Sequence, residues 1–175
     1  MLNNDVLRRL RYMLDLKPAQ LVEIFNLADH PQEPARLRQL LRKDDHPEFL
    51  ACDDATLGYF LNGLIAYRRG KDPARPLAPP ELPLSNNAIL KSLRVAFALK
   101  DQDVQALLAE SDLKLSTTEI SALFRQRDHR NYRPCGDQLL RRFLRSLSLR
   151  LRPRELPSNT AGAPTAEAPR TDTAP

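Results

Sequence analysis

Four side chains in this sequence are of the types that make a tetrahedral metal site: His46, Cys52, His129 and Cys135. Two imidazoles and two thiolates form a known zinc set. The spacing within each pair is His-x5-Cys, which matches neither the C-x2–4-C nor the H-x3–5-H pattern of common zinc sites. The favoured reading makes each Cys a small buried apolar residue just before a helix, with no metal and no cofactor. A thiol nucleophile fits less well, because the chain would then carry two copies of one active thiol. Asp54 and Asp137 follow the cysteines by two positions, where a first-turn or capping acid suits the start of a helix. Asp45 and Asp128 lie near Arg42 and Arg125 and read as local Asp–Arg pairs that fix a turn.

A second kind of chemistry comes from arginine. Arg125, Arg127, Arg130 and Arg133 are interleaved with Asn131 and Tyr132, and Arg141, Arg142, Arg145 and Arg152 follow on a helical pattern. On a helical wheel Leu140, Phe143, Leu144, Leu147 and Leu151 form the apolar face, with Arg141, Arg145 and Arg152 about 120° away and Arg142 flanking them. After Asp137 this helix carries no acid. Guanidinium forks suit phosphate oxygens and carboxylates alike. The charge is also unevenly distributed. Residues 1–83 balance 12 Lys/Arg against 12 Asp/Glu, whereas residues 84–152 hold 13 against 7. A basic excess gathered in one half fits a polyanion partner, either nucleic acid or an acidic protein surface, and fits equally a solvated basic face with no partner.

These residues are positioned by a stretch that occurs twice. Leu40 to Asp54 and Leu123 to Asp137 share Leu, Arg, Asp, His, an aromatic, Cys and Asp at identical offsets of 83 residues. Each copy then opens a helix patterned L-x-x-F-L-x-x-L, with Leu57, Phe60, Leu61 and Leu64 matching Leu140, Phe143, Leu144 and Leu147. The offset holds upstream without a gap: Asn86-Asn87 matches Asn3-Asn4, Leu90 matches Leu7, and Leu99-Lys100 matches Leu16-Lys17. Helical spacing of leucines, five glycines in the whole chain and few β-branched runs predict an all-α fold of two tandem four-helix repeats. Asn3-Asn4-Asp5 reads as a capped helix start, Pro18 as a first helical residue, residues 33–43 as a third helix, and Gly70 as the residue that ends the fourth. Ser116-Thr117-Thr118-Glu119 is a capping box.

The predicted organisation is a first repeat over 1–70, a Pro-rich linker over 71–84, a second repeat over 85–152, and a disordered tail over 153–175. The linker carries five prolines, at 73, 76, 79, 80 and 83, and reads as extended and stiff. The tail is rich in Pro, Ala and Thr and poor in large apolar residues, so it has little surface to bury. No apolar run approaches a membrane span, and the N-terminal residues lack the pattern of a signal peptide. The expected location is therefore the cytoplasm, where two cysteines stay reduced. Gly-rich phosphate loops, G-x-S-x-G elbows, H-E-x-x-H and EF-hand patterns are all missing. The reading leans to a non-enzymatic binding or adaptor module, the alternative being a metalloprotein or enzyme built on the repeated Asp/His/Cys corner.

Several motifs occur in order: Asn-Asn opening each half, Phe60-Leu61-Asn62-Gly63-Leu64-Ile65, Arg69-Gly70-Lys71-Asp72, and Asp128-His129 with Cys135-Gly136-Asp137-Gln138. Over about residues 2–151 the chain resembles the YehS-like family of small bacterial cytoplasmic proteins, a domain of unknown function that occurs twice per chain. The resemblance implies the duplicated helical fold and a bacterial cytoplasmic home, and it implies no catalytic residues.

Overall fold

The computed structural model describes residues 1–152, and the disorder expected of 153–175 lies outside the described residues. Eight helices make up the described chain, with no strand among its residues: α1 Asn3–Met13, α2 Pro18–Leu27, α3 Pro34–Leu40, α4 Asp54–Arg69, α5 Asn86–Ala96, α6 Asp101–Ala109, α7 Thr117–Leu123 and α8 Asp137–Leu151. Every helix of the second half begins 83 residues after its counterpart. α1 buries Val6, Leu7, Leu10 and Met13, the positions its helical spacing predicts. Pro18 is the first residue of α2, where its missing N–H costs nothing. Ser116 and Glu119 form the predicted capping box of α7. α4 ends at Gly70, whose φ of 88° lies in the region that favours glycine.

Two expectations change. The third helix is shorter than residues 33–43, ending at Leu40, because the chain turns at once into the connector that carries His46. Leu2, not an Asx residue, precedes α1 and makes no side-chain cap. Asn3 and Asn4 lie inside the helix and have longer-range partners, described below.

The halves interlock. α4 packs on α5, and α8 packs on α1, so each repeat's last helix lies against the other repeat's first. Under the 83-residue offset these two contacts are the same contact made twice, which gives the fold its pseudo-two-fold relation. Within the halves, α2 packs on α4 and α6 on α8. One apolar cluster runs through both repeats, from Leu7, Phe25 and Phe60 to Leu90, Phe143 and Leu144. The equivalent pairs Leu7/Leu90 and Phe60/Phe143 are all buried. α2 and α4 approach so closely that a Cβ on Gly63 would stand 1.9 Å from the Ile24 carbonyl oxygen.

Candidate functional site

The repeated Asp/His/Cys corner is held by paired asparagines. Asn4 donates through Nδ2 to the carbonyls of Leu40 and Leu50, both at 2.8 Å, and its Oδ1 accepts the Cys52 N–H at 2.9 Å. Asn87 does the same to Leu123 and Arg133, both at 2.8 Å, and accepts from Cys135 at 2.8 Å. Asn3 and Asn86 donate to the carbonyls of Cys52 and Cys135 and to the carboxylates of Asp54 and Asp137. Each Asn-Asn pair therefore ties the start of its repeat's first helix to the connector and to the start of the last helix. Recurrence of Asn-Asn at the same offset was the signal in the sequence, but its meaning is tertiary, not local capping. Asp54 and Asp137 are first-turn acids, as expected. The capping residue of α4 is Asp53, whose carboxylate accepts the Thr56 N–H at 2.7 Å, and that bond holds its pKa below the ordinary carboxylate value.

The histidines stabilise turns. His46 Nδ1 accepts the Glu48 N–H, and His129 Nδ1 accepts the Asn131 N–H, each at 3.1 Å. Cys52 and Cys135 are buried and unbridged. Burial pushes both thiols up to about 12, the reverse of what a thiolate ligand or nucleophile requires. His46, Cys52, His129 and Cys135 do not assemble into one donor set. Among the described residues no three His, Cys, Asp or Glu side chains are grouped so as to hold a metal ion. The expected local pairs do not form either. Arg42 bonds Glu48 at 3.4 Å instead of Asp45, and Arg125 donates to the Asn131 carbonyl at 3.2 Å instead of Asp128. Asp45 and Asp128 are exposed.

The eight arginines divide into two sets. Arg125 closes its own connector, as above. Arg133 pairs with Glu119 at 2.7 Å. Arg142, which flanks Arg141 and Arg145 on the wheel, is half-buried and donates to the Ser111 carbonyl at 2.7 Å, joining α8 to the end of α6. Arg152 reaches the first repeat, donating to the Tyr12 carbonyl at 3.0 Å with its guanidinium 4.5 Å from the Tyr12 ring centroid. Arg127, Arg130, Arg141 and Arg145 are exposed and bond no described residue.

Arg141 and Arg145 occupy a telling place. In the first repeat the linker runs back along the outer face of α4. Asn62 donates to the Ala78 carbonyl at 2.8 Å, the Leu84 N–H donates to Asp54 at 3.0 Å, and Gly58 leaves room for Pro80. A Cβ at Gly58 would lie 2.4 Å from the Pro80 Cβ. The matching positions on α8 are Arg141 for Gly58, Arg145 for Asn62 and Asp137 for Asp54. Asp137 keeps its role and accepts from the Met1 ammonium, the residue equivalent to Leu84. The other two matched positions on α8, Arg141 and Arg145, are cations exposed to solvent. Sequence comparison of the copies flagged these arginines, whereas the seat of the linker is visible only in three dimensions.

Fold and site together define a duplicated all-α protein whose recurring residues build corners and whose last helix differs between the repeats on its outer face. A protein family of unknown function, DUF1456, matches residues 3–70 and again 86–152. The chain belongs to that family. It is 45% identical over 150 residues to the uncharacterized protein YehS of Escherichia coli strain K12, an alignment covering 86% of this chain and 96% of that protein. No solved structure matches it. Among the described residues no helix is long and apolar enough to cross a membrane.

Proposed function

We propose that this protein is a non-enzymatic binding module whose second repeat engages a polyanion, nucleic acid or an acidic protein surface, through the outer face of α8. The observation that carries the reading is the contrast at the linker seat. Where α4 is covered by the chain's own backbone, α8 offers Arg141 and Arg145, exposed and bonded to no described residue. Residues four apart on a helix are separated by about 6 Å along its axis, a spacing that lets two guanidinium forks engage successive anionic groups of an extended ligand. Arg127 and Arg130 add exposed positive charge to the same half. On this reading the protein works in the cytoplasm, where its two unbridged thiols remain reduced.

Binding of single-stranded RNA and DNA across a salt series tests it. Each phosphate neutralised by a cation releases a counterion, so affinity must fall steeply with salt. The double variant Arg141→Gln, Arg145→Gln should weaken all sequences about equally and lower the salt slope by roughly one unit per contact. Its stability should stay within ~0.5 kcal/mol of the parent, because both side chains are exposed and make no hydrogen bond or ion pair with a described residue. If the variant binds every nucleic acid like the parent, that class of polyanion is eliminated and an acidic protein remains. If the variant unfolds, the arginines are structural and the proposal fails.

A further inference from the structure

A groove of about 470 Å³ lies between the first turns of α5, the end of the linker and the connector from α7 to α8. Its cations are Lys91, Arg125 and Arg127, its acids Glu81 and Asp128, and Leu82, Phe124 and Tyr132 supply apolar and aromatic surface. The first repeat shows what normally fills this position. There Arg8 pairs with Asp5 and donates through Nη1 to the Arg42 carbonyl at 2.6 Å, laying its half-buried side chain from α1 to the connector. Under the 83-residue offset Arg8 becomes Lys91, Asp5 becomes Ala88, and Asp44 becomes Arg127. The bridge is gone, one carboxylate is lost, and another is replaced by a guanidinium. Lys91 and Arg127 are exposed and bond no described residue. Phe49 is replaced by Tyr132, whose hydroxyl donates to Asn87 Oδ1 at 2.8 Å and so fixes the ring. The first turn of α5 also faces the groove through Ser85 and Ala88, and its dipole adds positive potential there.

We propose that this groove binds a small organic phosphate, with the phosphate held between Lys91 and Arg127 and the organic body against Phe124, Tyr132 and Leu82. Three cations against two acids leave a net lining charge of one positive. That balance suits a single phosphate group and disfavours a long polyanion, which Glu81 and Asp128 would repel. The site is independent of Arg141 and Arg145, which do not line it.

Amide NMR of the full chain titrated with AMP tests the proposal, with adenosine and inorganic phosphate as comparison probes. AMP should shift the amides of Ala88, Lys91 and Tyr132 saturably, inorganic phosphate should shift the same amides with weaker affinity, and adenosine should not. Lys91→Gln removes one charge-assisted contact and should weaken AMP about tenfold. The double variant Ala88→Asp, Lys91→Arg rebuilds the pair found in the first repeat, and it should close the groove and remove binding. Arg141→Gln with Arg145→Gln should leave AMP binding intact, so failure here and failure of the polyanion reading are separable. No saturable shift at about 10 mM AMP, binding unchanged in Lys91→Gln, or equal affinity for inorganic phosphate and AMP would each overturn it.

Discussion

Asn4 sits in the first turn of α1, yet its amide bonds the Leu40 carbonyl 36 positions away and the Cys52 N–H 48 positions away. Asn87 repeats this in the second half, with the Tyr132 hydroxyl added. Replacing Asn4 with Ala leaves two carbonyls and one N–H of the connector without a partner. Each unsatisfied buried group costs about 1–3 kcal/mol, and partial access of water to the Leu50 carbonyl reduces the sum, so Asn4→Ala and Asn87→Ala should each cost about 3 kcal/mol. Urea denaturation of both variants checks this. A loss no larger than that of Arg9→Ala, an exposed residue on the same helix as Asn4, would show that the amides are not anchors. The doubled Asn-Asn was plain in the sequence, but its use was not. An Asx residue near a helix start has a ready local role, and partners dozens of residues away leave no local trace. Asp45 and Asp128 misled for the same reason. An arginine three positions off looked like a partner, whereas Glu48 and the Asn131 carbonyl lay in better reach of Arg42 and Arg125.

At the scale of the helix, prolines, capping residues and leucine spacing located the elements, because those signals act within one turn. The glycines of α4 were opaque. Gly58 and Gly63 weaken a helix by propensity, and their reason is the close approach of Pro80 and of the Ile24 carbonyl, which no single-helix pattern encodes. Comparing the copies exposes a further difference. α4 begins on Asp53, whose carboxylate accepts the Thr56 N–H, whereas α8 begins on Gly136 with no side-chain cap. Gly136 has φ −70° and ψ 159°, an ordinary extended conformation, and a Cβ there would meet nothing within 4 Å. Gly136→Asp should therefore supply the missing cap to the Leu139 N–H and restrict the unfolded chain, raising stability by about 0.5–1 kcal/mol. A melting curve should move up by about 2–3 °C. An unchanged or lower melting temperature would mean that the Cys135–Asp137 corner does not tolerate the added carboxylate.

The whole molecule is more than two repeats joined by a spacer. An offset between copies reports which residues are equivalent, but it does not say which surfaces meet, so the exchange of α1 onto α8 and α4 onto α5 could not be read from it. The prolines of 71–84 suggested a stiff extended connection. In the structure that segment lies along α4, bonded at Asn62 and Asp54, and so belongs to the packing of the first repeat. Because each first helix packs on the other repeat's last helix, and one apolar cluster spans both halves, neither half keeps its full core alone. The protein should unfold in one cooperative step, with calorimetric and van't Hoff enthalpies equal. Leu7 and Leu90, each at most 1% exposed, are the matched probes. Truncating either to Ala removes a buried side chain and leaves a cavity, which costs about 2–5 kcal/mol. In a linked core, Leu7→Ala must lower the transition reported by Tyr132 in the second repeat as much as that reported by Tyr59 in the first. If instead Leu7→Ala splits the melting curve and leaves the Tyr132 transition in place, the repeats are separate folding units and the interlocked core is not what holds them.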